Sequence, residues 1–115
     1  MIDIDKLKFG YRKKQILFDD LSLNLKLGRV YGLLGKNGAG KTTLLKIISG
    51  LLHPQGGTSK ISDEDSSLRL PEILSDIYII PEEFYLPPVS MNRYIKVNAA
   101  FYKNFSISDL SLIHI

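Results

Sequence analysis

The sequence predicts an α/β fold, and three consecutive features carry this prediction. Residues 30–34 form a short, almost unbroken apolar run, which is typical of a strand buried on both faces of a parallel sheet. A glycine-rich segment, residues 35–43, follows directly. Beyond it, four apolar residues fall at helical spacing on one face, Leu44, Ile47, Ile48 and Leu51. Gly50 can end this helix. The glycines therefore lie where a strand turns into a helix.

The glycine-rich segment fits the pattern G-x-x-x-x-G-K-[ST], a phosphate-binding P-loop. Its glycines allow unusual backbone angles and a close approach to a ligand, so that amide groups at the helix start can form a nest for phosphate oxygens. Lys41 can reach the β- and γ-phosphates, Thr42 can supply an oxygen to Mg²⁺, and Thr43 can bond the α-phosphate. The predicted nucleotide-binding residues of the loop are Gly35, Lys36, Asn37, Gly38, Ala39, Gly40, Lys41, Thr42 and Thr43.

Composition narrows the class of protein. The 115 residues are 44% hydrophobic and 23% charged, as in an ordinary globular domain, and no apolar run approaches the roughly 20 residues of a membrane-spanning helix. The chain has no cysteine, which excludes disulfides and thiolate metal sites and suits a reducing compartment. The net charge of +3 does not by itself indicate a nucleic-acid partner. We therefore expect a cytoplasmic protein without direct nucleic-acid binding.

The segment before the P-loop predicts an antiparallel β layer. Apolar and polar residues alternate over residues 2–9, with a phase slip at Asp5-Lys6 that predicts a bulge. Residues 10–14 read as a hairpin turn, and residues 15–18 and 21–27 as two further strands. Three consecutive basic residues of the turn favour a solvated tip, with a phosphate-facing patch as the alternative. Tyr11 is either a surface or half-buried tyrosine of the hairpin or a platform that stacks on a nucleotide base.

These features together resemble the nucleotide-binding domain of ABC transporters. The resemblance runs from about residue 2 to 54 and more weakly to about 101. It is carried by Leu-Lys-Phe-Gly-Tyr at 7–11, Ile-Leu-Phe-Asp-Asp-Leu-Ser-Leu at 16–23, Leu-Gly-Arg-Val-Tyr-Gly-Leu-Leu-Gly at 27–35, and Asn-Gly-Ala-Gly-Lys-Thr-Thr-Leu-Leu at 37–45. The resemblance implies that Tyr11 stacks on adenine. It also implies that two such domains sandwich two ATP molecules and that ATP hydrolysis drives a transmembrane permease subunit.

Further along the chain the predictions concern strands, a loop and a helix. Residues 56–61 predict a short strand, residues 62–67 an exposed loop, and residues 76–80 a buried strand. By resemblance, that last strand leads to a loop whose glutamine touches the metal or the attacking water. Glu82 stands in that place, so the resemblance implies a catalytic role beside Lys41 and a metal-binding role beside Thr42. A pair of solvated carboxylates, Glu82 and Glu83, is the alternative.

The apolar residues Phe84, Tyr85 and Leu86 lie in a proline-bounded loop, where an exposed patch suits an interface. By resemblance this loop faces the permease. Ser90 predicts a helix start, followed by an apolar stripe that favours a core-facing helix over a partner groove. Residues 106–109 can cap another helix. We expect three parts: residues 1–29 as the antiparallel β region, 30–89 as the P-loop core, and 90–115 as the start of a helical subdomain.

Several motifs of the family are not found in this sequence. It has no Leu-Ser-Gly-Gly-Gln signature, no later apolar strand ending in Asp-Glu, and no context that makes His114 a switch histidine. The chain is therefore expected to be the N-terminal half of an ABC-type ATPase domain, inactive alone and, when complete, peripheral at the inner face of a membrane. The alternatives are a soluble ABC-type ATPase, such as a ribosome-associated translation factor, and a non-catalytic nucleotide-binding fragment.

Overall fold

The structure is a computed structural model, and it describes residues 1–83 and 85–111. They fall into two compact units, one of residues 1–74 and one that begins at residue 75. The elements in chain order are the strands β1 (Ile2–Arg12) and β2 (Gln15–Leu25), the helix α1 (Lys41–Ile48), the strands β3 (Gly56–Ile61) and β4 (Glu64–Asp65), a 3-10 helix (Ser66–Leu68), and the helices α2 (Pro71–Leu74), α3 (Met91–Ala99) and α4 (Ile107–Ser111).

A four-stranded antiparallel sheet forms the first unit, in the order β2-β1-β3-β4. The predicted antiparallel layer is thus confirmed, with two corrections. The hairpin turn is shorter than predicted, because Arg12 still pairs with Gln15 and only residues 13 and 14 turn. The two predicted strands after the turn are one continuous strand, β2, whose irregular point is Asp20 at φ 62°.

The predicted bulge at Asp5-Lys6 is present. Pairing between β1 and β2 shifts register between Ile4 and Leu7, and Lys6 has a φ of 49°. The neighbouring strand β3 accommodates the bulge with Gly57, whose φ is 72° and where a Cβ atom would lie 2.2 Å from the carbonyl oxygen of Lys6. No side chain fits that gap, so the close approach of these two strands requires glycine.

The hydrophobic core of the first unit lies between the sheet and α1. Its buried members are Ile4, Leu7, Phe9, Leu44 and Ile47. The three residues of β1 lie around the bulge, and the two residues of α1 are one turn apart, so that one face of the helix covers the bent strand. Burial of each such side chain contributes about 1.5–3 kcal/mol. The core therefore fixes where the first turn of α1 stands against the β1–β2 hairpin.

Helix α1 ends where the sequence predicts. Gly50 has a φ of 79°, and the backbone amide of Gly50 donates to the carbonyl oxygen of Ile47. Leu51, predicted on the apolar face, is instead more than half exposed, because it lies beyond the helix end.

The predicted exposed loop at residues 62–67 is also partly wrong. It contains β4, and the buried Ser66 hydroxyl lies 3.2 Å from the carbonyl oxygen of Ile47.

The predicted parallel core strands are not formed. Residues 30–34 have no strand structure, and Val30 and Leu34 are 102% and 94% exposed. Residues 76–80 are likewise outside any strand, with Ile80 82% exposed. A strand needs a neighbour for its backbone N–H and C=O groups. Within residues 1–83 and 85–111, the only sheet is the antiparallel one, so these apolar runs have no partner to bury them.

The second unit is built on short helices. Ser90 caps α3 by accepting from the backbone amide of Arg93 at 3.3 Å, and Ser106 accepts from the amide of Asp109 at 3.2 Å at the start of α4, so both predicted caps are confirmed. The predicted core-facing stripe is wrong in one respect, because α3 has no buried residue. Its half-buried side chains instead line a largely apolar cavity of about 720 Å³ within this unit, together with Tyr78 and Tyr102.

Candidate functional site

A cavity of about 340 Å³ opens at the start of α1. Three separate segments form it: β1, β2 and the glycine-rich loop with the first turn of α1. Its lining residues are Tyr11, Leu17, Asn37, Gly38, Gly40, Lys41, Thr42 and Thr43. All except Leu17 are residues that the sequence predicts as nucleotide-binding. The helix start therefore carries an open hollow large enough for an anionic group.

The loop between residues 35 and 40 is a tight turn that glycine makes possible. The amide of Ala39 donates to the carbonyl oxygen of Lys36 at 3.1 Å, and Gly38 has a φ of 83°. Gly40, the N-cap of α1, has a φ of 97° and would place a Cβ atom 2.9 Å from Leu17 and Phe18. Gly35 does not have a positive φ, so the unusual angle expected for it is found only at the other two loop glycines.

The first turn of α1 offers backbone donors to the cavity. The amides of Lys41, Thr42 and Thr43 precede the first intrahelical bond, which runs from the Leu44 amide to the carbonyl oxygen of Gly40 at 2.8 Å. The N-cap makes no side-chain hydrogen bond to them, and the first turn contains no acidic residue. These amides stand at the positive end of the helix dipole. They can therefore donate to an anion in the cavity.

Lys41 places its ammonium group at this loop. Its Nζ atom donates to the carbonyl oxygen of Gly35, so the side chain turns back over the residues that precede the helix. The side chain of Lys36 is exposed. The basic residues of the hairpin tip, Arg12, Lys13 and Lys14, are exposed, and none of them lines the cavity. The hydrogen bond to Gly35 leaves two protons of the Lys41 ammonium group for other acceptors.

Tyr11 forms one wall of the cavity. It lies in β1 and not on the turn, which corrects the prediction, and its ring is 63% exposed. Its ring makes a T-shaped contact with that of Phe9, two residues earlier on the same strand face, with centroids 5.0 Å apart and ring planes at 88°. Its hydroxyl lies 2.8 Å from the Thr43 hydroxyl, and Thr43 is 7% exposed. The ring is thus held by Phe9 and by its hydroxyl, while much of the residue's surface faces solvent.

Leu17 is the cavity residue that the sequence did not indicate. It reaches the cavity because β2 pairs with β1, and it packs on the core beside Phe18. Its only local signal is the apolar character of a strand residue, which is shared by many core positions. Long-range pairing, and not a motif, brings it to the site.

Three predicted loop residues, Gly35, Lys36 and Ala39, do not line the cavity. The other predicted site residue, Glu82, belongs to the second unit. Glu82 is exposed there, at a bend after Pro81. Among the described residues, no group of three or more acidic, histidine or cysteine side chains could hold a metal ion. In the proline-bounded loop, Tyr85 and Leu86 are 79% and 64% exposed, while Phe84 lies outside the described residues, as does His114.

Comparisons with known proteins identify the family of this chain. The family model described as ABC transporter matches residues 18–108. The Nod factor export ATP-binding protein I of Burkholderia orbicola is 38% identical over 87 residues, which are 76% of this chain and 28% of that protein. The energy-coupling factor transporter ATP-binding protein EcfA1 of Fusobacterium nucleatum is 36% identical over 87 residues, covering 71% of this chain and 33% of that protein.

Comparison with solved structures gives the same class of protein. A solved structure of the ATP-binding subunit of an ABC transporter matches 92% of this chain and 44% of its own, with a TM-score of 0.79 and 24% identity. At that identity the likeness concerns the fold, and it confirms the predicted ABC-type α/β class. The chain spans about a third or less of the length of the two curated relatives. In the part of the chain that the structure describes, no helix has the length and apolar character needed to cross a bilayer.

Proposed function

Because the chain belongs to the ABC transporter family, we propose that it binds MgATP in the cavity at the start of α1. In the complete domain, this binding and the hydrolysis of ATP drive transport across a membrane. The observation that carries the proposal is the cavity itself, in which the helix-start amides, Lys41 and Tyr11 converge. Both curated relatives are named as ATP-binding proteins, which supports the same ligand.

The phosphate groups of ATP suit the residues of the loop and the first turn. The uncapped amides of Lys41, Thr42 and Thr43 donate to phosphate oxygens at the positive end of the helix. Lys41 exchanges its neutral partner, the carbonyl oxygen of Gly35, for the β- and γ-phosphates, which carry full negative charge. Glycine at position 40 keeps the loop in contact with Leu17 and Phe18, so that the turn stays closed beneath the ligand.

The adenine base suits the Tyr11 ring. The ring is largely exposed at the cavity wall and is already oriented by Phe9 and Thr43. Stacking of a base on such a ring contributes about 1–3 kcal/mol and tolerates any base. Tyr11 therefore supplies affinity for the nucleoside end, while selection of adenine over other bases requires contacts besides stacking.

Of the two residues proposed to bind magnesium, Thr42 lines the cavity itself. Thr42 is in the first turn of α1 and lines the cavity, so its hydroxyl oxygen is available to a hard cation. Glu82 is the second proposed ligand, by resemblance, and its exposed carboxylate is of the right chemical type. The ion, when bound, neutralises charge that develops on the transferred phosphoryl group. We propose that Lys41 and Glu82 contribute to catalysis by stabilising and positioning the reacting groups.

The proposed partners are a transmembrane permease subunit and a second nucleotide-binding domain. The relatives are named for export and for an energy-coupling factor transporter, which supports a membrane partner. The exposed loop with Tyr85, Leu86 and Val89 is a suitable contact for that partner, because its apolar side chains face solvent. The chain is then cytoplasmic and peripheral, held at the inner face of the membrane by the permease.

The proposal is tested by titrating the full 115-residue chain with MgATP and measuring the dissociation constant by calorimetry. We expect Lys41→Ala to weaken binding by about 10- to 100-fold, because each charge-assisted hydrogen bond contributes about 1.5–3 kcal/mol. Lys46→Ala is the matched control, since it removes the same charge from the last turn of the same helix. Equal binding by wild type and Lys41→Ala contradicts the proposed site.

A further inference from the structure

Tyr11 makes a hydrogen bond that a stacking platform does not require. Stacking uses the face of an aromatic ring, and a phenylalanine presents the same face. The Tyr11 hydroxyl nevertheless lies 2.8 Å from the Thr43 hydroxyl, across 32 residues of sequence. The edge contact with Phe9 orients the ring independently of that bond. The hydroxyl therefore has a role to be explained apart from the ring.

The chemistry of the two hydroxyl groups fixes the direction of the bond once an anion is present. Each hydroxyl has one proton to donate and can accept two hydrogen bonds. Phosphate oxygens can only accept. When Thr43 donates its proton to a phosphate oxygen, its Oγ1 atom can still accept, and Tyr11 Oη is the donor within reach. The two side chains then form a chain of donors that points from the strand to the phosphate.

The surroundings strengthen such a chain. Thr43 is 7% exposed, and the bond between the two hydroxyls is partly buried. In partly desolvated surroundings, successive hydrogen bonds polarise one another, so a donor behind Thr43 strengthens the bond that Thr43 donates. Both residues line the same cavity, and Thr43 stands in the uncapped first turn of α1.

We propose that the Tyr11 hydroxyl is a positioning group for the phosphate, which donates to Thr43 and so strengthens the hydrogen bond from Thr43 to a phosphate oxygen. The inference rests on the proposed nucleotide site and adds a second role for Tyr11 there. Tyr11 thereby contributes to binding of the phosphate chain even when no base is present. A tyrosine that only stacks does not do so.

The experiment compares MgATP with magnesium tripolyphosphate, which lacks the base and the sugar. Dissociation constants are measured by calorimetry for wild type, Tyr11→Phe, Thr43→Val and the double variant. We expect Tyr11→Phe to weaken tripolyphosphate binding by about 3- to 10-fold, the range for one net hydrogen bond, and ATP binding by the same factor. We call the bond from Tyr11 to Thr43 and the bond from Thr43 to phosphate the relay. We expect the double variant to bind no more weakly than Thr43→Val alone, because Thr43→Val already removes both bonds of the relay.

Tyr31→Phe is the matched control. It also removes a hydrogen-bonded phenol hydroxyl, which accepts from the Lys26 amide, but Tyr31 does not line the cavity. Unchanged or tighter tripolyphosphate binding by Tyr11→Phe overturns the relay and leaves the proposed site intact. Additive losses in the double variant, or an equal loss in Tyr31→Phe, also overturn it. If wild type binds neither ligand, the proposed site and the relay fail together.

Discussion

Replacement of Gly40 by alanine tests the packing of the P-loop against the β1–β2 hairpin. Gly40 has a φ of 97°, and an added Cβ atom would lie 2.9 Å from Leu17 Cδ2 and from Phe18 Cζ. Both side chains pack against the hydrophobic core, so they cannot move freely away. Gly40→Ala therefore combines backbone strain with a steric clash.

Gly38 separates these two contributions. Its φ of 83° is also positive, but nothing lies within 4 Å of the place where its Cβ atom would be. The left-handed conformation costs an L-residue about 1–2 kcal/mol. Overpacking against a filled region costs about 1–3 kcal/mol more. We expect the free energy of unfolding to fall by roughly 2–5 kcal/mol in Gly40→Ala and by about 1–2 kcal/mol in Gly38→Ala.

Urea denaturation of wild type and the two variants measures this difference, with the slope of each transition checked for equal exposure on unfolding. Leu17→Ala removes one side chain of the clash. Adding Gly40→Ala to Leu17→Ala is therefore expected to lower the free energy of unfolding by less than adding Gly40→Ala to wild type. Equal unfolding free energies for Gly40→Ala and Gly38→Ala refute the reasoning. Such a result means that a Cβ atom at position 40 makes no steric clash with the hairpin.

Three further predictions concern the scaffold. Ile47→Ala is expected to lower the free energy of unfolding by about 2–5 kcal/mol, because Ile47 is fully buried, whereas Leu45→Ala on the exposed face of the same helix changes it little; urea denaturation measures both. Ser66→Ala is expected to cost about 1–3 kcal/mol in the same assay, because it removes a buried hydroxyl that lies within hydrogen-bond distance of oxygen atoms of Ile47 and Ser59. The Ser67 hydroxyl and amide hold the pKa of Asp65 below its ordinary value, so the stability they provide is present at neutral pH and is lost as the pH falls through that lowered pKa. Asp65→Asn should therefore be less stable than wild type at pH 7, and a pH series of unfolding curves should show the gap closing in acid.

The sequence predicted features that depend on a few neighbouring residues. The phase slip at Asp5-Lys6 predicted the bulge, Gly50 predicted the end of α1, and Ser90 predicted the cap of α3. Each of these follows from the backbone preference or the hydrogen-bonding capacity of one or two residues. The loop that begins at Gly35 was found in the same way. The division at residues 29 and 89 stays a prediction.

Features that depend on distant partners were missed. The apolar run at 30–34 predicted a buried strand, but an apolar run is buried only where other strands cover it, and Val30 is fully exposed. Polar composition predicted exposure of Ser66, yet its hydroxyl is buried against Ile47 and Ser59. The hydrogen bond between Tyr11 and Thr43 spans the hairpin and α1. No local pattern carries that information, because it arises from the packing of helix on sheet.

The central claim is that main-chain amides at the start of α1 donate hydrogen bonds to the phosphate groups of a nucleotide. Amide chemical shifts of the ¹⁵N-labelled chain, followed during titration with MgATP, test this most directly. We expect the largest shifts at Gly38, Gly40, Lys41, Thr42 and Thr43, whose backbone surrounds the cavity. Shifts concentrated at the basic tip of residues 12–14, with the loop amides unmoved, would contradict the claim.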